Sequence, residues 1–319
     1  MARADLLLQL VKAGRRGDQA TFKRTVEAMI ADERARHHNV LAERLEENLK
    51  NGFAISTGLS YEEVAPGAVM LQPRHSMGDL VLPAVVTGAV ASLIEEQLRS
   101  DLLRSYNLEP RHRVLLTGPP GNGKTSLAEA IADALAIPLM AVNYEGVIGS
   151  FLGETASRLH RLFDHVRGRR CVLFFDEFDT IGKERGDIHE TGEIKRVVSS
   201  LLLQIDGLPS YVVVVTATNH PELLDRAVWR RFQLRLNLPR PTQKQIADWF
   251  RHSQSKSEVP VGFEPSKLAP LFRGANFSDL EEFSAEVLRR WVLSDRETDS
   301  RRIVADVLSE WRHRVTPRA

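Results

Sequence analysis

The chain has 319 residues, 43% of them apolar and 27% charged, which is enough to bury a sizeable core in two or three domains and too apolar for a disordered chain. Its 43 lysines and arginines balance 42 aspartates and glutamates, so the whole-chain charge of +1 exerts no general pull toward nucleic acid or an acidic membrane. The single cysteine, Cys171, excludes an internal disulfide and a thiolate zinc cluster.

Met1 to Val11 carries a short Leu-rich run without the long apolar region and small-residue cleavage site of a signal peptide. The longest apolar stretch, Leu80 to Ile94, is interrupted by Pro83, Thr87 and Gly88 and falls short of a membrane span. A cytoplasmic protein is expected, with no membrane partner. From Ala4 to Asn51, apolar stripes at helical spacing (Leu6, Leu7, Leu10, Val11; Phe22, Val26, Met29, Ile30; Val40, Leu41, Leu45, Leu49) predict a small helical region over residues 1–51 that docks a client or partner. Residues 52–78 mix Gly, Pro and Ser with isolated apolar residues and read as a connector. Helical spacing returns from Asp79 to Leu108, with Ile94, Leu98, Leu102 and Leu103 on its stripe and Pro110 as its stop.

Arg113 to Thr117 is a short aliphatic strand, and the Ala-rich stretch from Ser126 to Ala132 is a helix. Pro138 to Val142 reads as the second strand, and Thr155 to Val166 as a helix. Cys171 to Phe175 is a continuous apolar run, as expected of a strand covered on both faces. Ile194 to Ile205 is helical, Val212 to Ala217 is another buried strand, and Leu234 to Leu238 alternates like an edge strand. Strands alternating with helices require an α/β fold with a parallel sheet and right-handed crossovers, here over residues 79–240. Beyond Pro239-Arg240-Pro241 only helical patterns remain, about Thr242 to Lys256, Pro265 to Phe272, Ser278 to Leu293 and Asp299 to Arg314. Residues 241–319 are therefore expected to form a small helical domain.

Between the first strand and its helix lies Gly118-Pro119-Pro120-Gly121-Asn122-Gly123-Lys124-Thr125, followed by Ser126. Strand, glycine-rich loop and helix in that order form a phosphate-binding loop. The glycines let backbone N–H groups and the helix N-terminus face phosphate oxygens, Lys124 neutralises the β- and γ-phosphates of ATP, and Thr125 offers its hydroxyl to Mg2+. The strand Cys171 to Phe175 ends in Asp176-Glu177. Asp176, beside the loop, is placed to hold the magnesium shell, directly or through water, and Glu177 to act as general base on the attacking water.

With these motifs in order, the sequence resembles the AAA+ ATPases, and within them the AAA clade of protein remodellers, over roughly Asp79 to Leu293. Gly118 to Thr125 matches the Walker A motif, Phe174-Phe175-Asp176-Glu177 the Walker B motif, and Ala217-Thr218-Asn219 sensor 1. Leu224 to Phe232 looks like the second region of homology. The resemblance implies that Asn219 hydrogen-bonds the attacking water or γ-phosphate, and that Arg230 and Arg231 are arginine fingers acting on a neighbouring subunit. It places Arg196 toward that neighbour as well. Gly149 to Glu154 resembles pore loop 1, with Phe151, Leu152 and Gly153 as the aromatic-aliphatic-glycine step, and Arg185 to Gly192 occupies the place of a second pore loop. Gly274-Ala275-Asn276-Phe277-Ser278-Asp279-Leu280 looks like the sensor 2 segment, although Ser278-Asp279-Leu280-Glu281 also fits a helix cap.

The function this implies is ATP hydrolysis coupled to remodelling or unfolding of a protein client by a self-associating ring, expected as a hexamer. Two other readings stand beside it: a nucleic-acid motor or loader, opposed by the balanced charge and the aromatic pore-loop step, and a nucleotide-dependent assembly switch. A separately encoded protease or effector is a candidate partner.

Overall fold

The computed structural model describes residues 25–26, 28–30, 34, 63–65, 67–144, 152–179, 191–256, 264–294 and 299–315. The chain divides into two compact units, Met1–Ser60 and Tyr61–Ala319. In the first, the described residues are helical, and Val26 and Ile30, one turn apart, are buried. The other apolar stripes expected there lie outside the described residues.

The second unit is built on a seven-stranded sheet of order β1-β2-β4-β5-β6-β3-β7. Its strands are β1 (Glu63–Ala65), β2 (Ala68–Leu71), β3 (Arg113–Thr117), β4 (Leu139–Val142), β5 (Cys171–Phe175), β6 (Val212–Thr218) and β7 (Leu234–Asn237). Strands β3 to β7 run parallel to one another, as the alternating pattern requires. Every residue of β5 and β6 is buried, whereas β7 alternates buried and exposed at the sheet's edge. The region expected as a connector contributes β1 and β2, an antiparallel pair that extends the other edge through β2, which runs antiparallel to β4.

The helices are α1 (Ala84–Leu98), α2 (Ser100–Ser105), α3 (Lys124–Leu135), α4 (Leu152–Arg167), α5 (Thr191–Asp206), α6 (Arg226–Arg231), α7 (Gln243–Lys256), α8 (Pro265–Leu268), α9 (Phe277–Leu293) and α10 (Ser300–Val315). The single helix expected from Asp79 to Leu108 is two, broken at Arg99. Its end is set not by Pro110 but by Asn107, whose left-handed φ of 57° closes α2.

Alternation along the strands sends their side chains to opposite faces. Leu115, Leu173, Phe175, Val212 and Val214 meet Leu162 and Phe163 of α4 and Ile205 of α5 on one face. Val114, Leu116, Phe174, Val213 and Val215 meet Val90 and Leu93 of α1 and Ile131 of α3 on the other. Each such Leu, Val or Phe contributes about 1.5–3 kcal/mol by burial. A third core, with Ile246, Phe250, Phe272, Phe283 and Val304, belongs to the C-terminal helices alone. Cys171 lies in the first core, where burial pushes its thiol up to about 11. Among the described residues no helix is long and apolar enough to cross a membrane.

Candidate active site

The sheet order puts β3 between β6 and β7, so the loop after β3 opens where two neighbouring strand ends meet it. Gly118 has φ 143°, and a Cβ there would stand 2.2 Å from the carbonyl oxygen of Leu238, which follows β7. Only glycine permits that approach. Gly121 (φ 75°) and Gly123 (φ 81°) complete the turn, and α3 begins at Lys124. The N-terminus of α3 therefore closes a concave nest of backbone N–H groups. Asn122, almost fully buried, donates from Nδ2 to Leu238 O at 3.3 Å and fixes the loop to the same strand end. Pro119 and Pro120 stiffen the loop's entry, and Ser126 stands half-buried in the first turn of α3.

Lys124 is buried, and its Nζ donates to Gly118 O (2.8 Å), Pro119 O (2.9 Å) and Asn219 Oδ1 (2.6 Å). All three of its donors are thus occupied by the protein. Burial lowers its pKa from the ordinary lysine value, against the opposite pull of Asp176 and Asp179. Asn219 and Lys124 are brought together because β6 pairs with β3 through Thr117 and Thr218, so both chains leave the sheet at one level.

Thr125 Oγ1 donates to Asp176 Oδ2 at 3.0 Å, and the Glu177 N–H to Asp176 Oδ1 at 2.9 Å. A hydroxyl and a carboxylate meeting beside the phosphate nest form the oxygen donor set that suits a hard divalent cation. Glu177 adopts a left-handed backbone, φ 47°, uncommon for a non-glycine residue and a sign of a constrained site. The constraint comes from Phe178. Its N–H donates to Ala217 O at 2.8 Å, and its ring packs edge-on against both Phe175 and Phe232. One carboxylate was not singled out from the sequence. Asp179 is buried and accepts from Thr218 Oγ1 at 2.8 Å, and the same oxygen of Thr218 accepts the His220 N–H at 3.0 Å. The repeated acid in Asp176-Glu177-Phe178-Asp179 was the available signal.

Arg230 and Arg231 end α6 but stand in different surroundings. Arg231 forms an ion pair with Asp206 at the end of α5, and Arg113 of β3 joins the same carboxylate. Burial, and then the neighbouring Arg231, lower the Arg113 pKa. Arg230 is exposed, and no described carboxylate pairs with it. Arg196 lies on α5, its side chain outside the described residues.

The sensor 2 segment reaches the phosphate loop. The Ser278 N–H donates to Gly121 O at 3.1 Å and its hydroxyl lies 3.4 Å from the same oxygen. Asn276 caps α9, accepting from the Asp279 N–H at 2.8 Å, and its side chain fills the space a Cβ on Gly121 would need. The capping box is therefore Asn276 with Asp279, two residues ahead of the Ser278–Glu281 cap expected from the sequence, and Ser278 instead lies in the first turn of α9, where it meets the loop. Of the first pore-loop step, Phe151 lies outside the described residues, while Leu152 and Gly153 begin α4 rather than sitting in a loop. Of the second, only Thr191 and Gly192 are described, as the start of α5.

The profile of the family described as ATPase family associated with various cellular activities (AAA) matches residues 114–240. The chain is 33% identical over 306 residues to the AAA family ATPase y4kL of Sinorhizobium fredii, covering 93% of this chain and 92% of that protein. It is 37% identical over 177 residues to ATP-dependent zinc metalloprotease FtsH 1 of Salinibacter ruber, covering 52% of this chain and 26% of that one. With the Cell division cycle protein 48 homolog of Archaeoglobus fulgidus it shares 32% identity over 191 residues, again 26% of the relative's length. The longer relatives thus match over about a quarter of their length, whereas the first matches over nearly all of both chains. A phosphate nest, its buried lysine and the strand-end acids account for why that likeness is functional: the chain belongs to the AAA family and is an ATPase.

Proposed function

We propose that this ATPase works as a ring, most simply a hexamer, hydrolysing ATP at sites completed by a neighbouring subunit and using the motion to remodel or unfold a protein client. The observation that carries this reading is Arg230. It is exposed at the finger position with no described carboxylate as partner, while Arg231 beside it is engaged within its own subunit. A guanidinium left facing outward supports a role on another subunit's phosphates.

In this reading Lys124 exchanges its three protein acceptors for β- and γ-phosphate oxygens, and the N–H groups at the start of α3 receive the rest. Thr125 and Asp176 would hold magnesium, Asp176 directly or through water, and the ion when bound supplies positive charge against the charge developing on the phosphoryl group. Glu177 accepts a proton from the attacking water, and Asn219 orients that water or the γ-phosphate. Arg230, with Arg231 as the second finger candidate, stabilises the transition state from the next subunit. The segment expected as pore loop 1, Phe151 with Leu152 and Gly153 at the entry to α4, is the part proposed to meet extended polypeptide in the central channel. The protein works in the cytoplasm, and a separately encoded protease or effector fits as its partner.

The test is the solution mass of Glu177→Gln with and without ATP and magnesium, beside wild-type turnover. The variant should bind ATP, hydrolyse it about a hundred-fold or more slowly, and grow to about six subunits. A variant that stays monomeric or dimeric with ATP, while the wild type turns over normally, removes both the ring and the channel. Phe151→Ala then separates threading from an assembly switch, because only threading loses client unfolding while client-free hydrolysis persists.

A further inference from the structure

Arg169 and Arg170 precede β5, and Tyr211 precedes β6, so all three stand at the amino-terminal ends of central strands. Asp176 leaves β5 at its other end, six positions after Arg170 and about 20 Å away along the strand. The three are thus remote from the phosphate loop. Across from them lie Gln97 at the end of α1 and Asp101 and Arg104 of α2, and the two walls border an open cavity of about 310 Å3.

The polar groups of this cavity are not equally engaged. Gln97 Nε2 donates to Arg111 O at 2.8 Å and to Ser210 O at 2.9 Å, and the Tyr211 hydroxyl donates to Arg167 O at 2.5 Å. Arg104 donates to Ser210 Oγ at 3.1 Å and pairs with Asp101 and Glu109, each at 3.5 Å. Arg169 and Arg170 make no hydrogen bond or ion pair with a described residue. The charge of Arg169 is felt by its neighbours: after burial it is the second cause lowering the His165 pKa, and it opposes the rise that burial gives Cys171.

Exposed arginines scattered over a surface need no account. Here the fold gathers three guanidiniums at one cavity and answers only Arg104 with carboxylates, so the field of the other two is focused into the cavity until an anion enters. Size and charge narrow the choice. Water occupies about 30 Å3 per molecule in the liquid, so the cavity has room for about ten waters, at the lower end of small-molecule sites and more than a bare phosphate fills. Two unanswered guanidiniums match a dianion, and each presents a planar fork that takes phosphate oxygens in pairs. A phosphate monoester carries about −1.5 to −2 at pH 7 with three acceptor oxygens, and its organic body accounts for the remaining room.

We propose that this cavity is a second anion site of the chain, binding a phosphate monoester through Arg169 and Arg170 with Arg104 at its edge. The ester belongs to a small phosphorylated molecule or to a phosphorylated side chain, and the same titration separates the two.

The test uses the full chain carrying Lys124→Ala, which weakens competition from the phosphate loop. Calorimetric titration with ribose 5-phosphate and with a short phosphoserine peptide should give saturable binding at about millimolar concentration or below for at least one of them, the tighter identifying the source. Adding Arg169→Ala and Arg170→Ala should weaken that binding about ten-fold or more. In the otherwise wild-type chain the same pair should leave the melting temperature within about 2 °C and ATP turnover within about two-fold, because both side chains are exposed and far from the chemistry. Should the alanine pair fail to fold, Arg169→Lys with Arg170→Lys keeps both charges and still reads the loss of the forks as weaker binding. Binding that survives these substitutions unchanged, or no saturable binding of either probe, overturns the proposal. Succinate binding as tightly as the better ester would overturn the assignment to phosphate.

Discussion

Arg230→Ala and Arg231→Ala should separate two arginines that are adjacent in sequence. Arg231 is 31% exposed and pairs with Asp206, which is 30% exposed and keeps Arg113 as a second partner. A charge-assisted contact in this setting is worth about 1.5–3 kcal/mol at best, and partial exposure discounts it. Removing Arg231 also relieves its repulsion of Arg113, which lowers the cost further. The expected loss for Arg231→Ala is about 1 kcal/mol, or about 2–4 °C in melting temperature without nucleotide. Arg230 gives up no such contact among the described residues, so Arg230→Ala should stay within about 0.5 kcal/mol of wild type. Its effect should fall on turnover, by about a thousand-fold or more if it serves the neighbouring site. Thermal unfolding by circular dichroism and steady-state ATPase assays read the two quantities on the same samples. Mixing equal amounts of Arg230→Ala and Lys124→Ala subunits should then restore about a quarter of the sites, because in a head-to-tail ring some intact pockets face an intact finger. An Arg230→Ala protein that keeps its turnover, or a mixture that recovers nothing, would refute the reasoning.

Gly118→Ala should remove nucleotide binding and cost about 3 kcal/mol or more, since its Cβ would stand 2.2 Å from Leu238 O at a φ of 143°; calorimetric titration with ATP and a melting curve check both. His112 is buried, and burial together with Arg113 lowers its pKa from about 6.5, so the unfolded chain takes up a proton that the folded chain refuses. Its contribution to stability is complete above that value and is lost as pH falls below it. His112→Leu should flatten the decline in melting temperature on acidification, and an unchanged slope would show that other groups set it. Cys171, the one cysteine, should resist thiol reagents at pH 8 in the native state and react at the rate of global opening. Fast labelling in native buffer would contradict its burial.

The phosphate loop was legible because its chemistry is local: glycines, lysine and threonine act at fixed offsets between a strand and a helix. The runs at β5 and β6 were legible for a similar reason, since burial on both faces leaves no polar residue to interrupt them. β1 and β2 were not, because strands of three and four residues carry too short a pattern and exist by pairing with an edge that β4 supplies. Contacts between distant segments were hidden too. Nothing local to Ser278 announces that it meets Gly121, 157 positions away, or that Asn276 fills the space beside it. The second region of homology set Arg230 and Arg231 on equal footing, and only Asp206, arriving from α5, tells them apart.

The edge hairpin has a mechanical meaning. The chain leaving the amino-terminal unit enters β1, turns at Gly67 (φ 82°) and runs back along β2. Strand β2 is laced to β4 from Ala68 opposite Val142 to Leu71 opposite Leu139, and the Asn143 N–H donates to Gly67 O at 2.9 Å. Tension on the amino-terminal segment would first peel Glu63 from Val69, then Ala65 from Ala68, and next reach the Gly67–Asn143 rung. Antiparallel rungs pulled from one end open in succession rather than together. The last rung before the ladder of β4 adjoins Tyr144, so a pull at the amino terminus is delivered along the covalent chain to the catalytic end of the sheet.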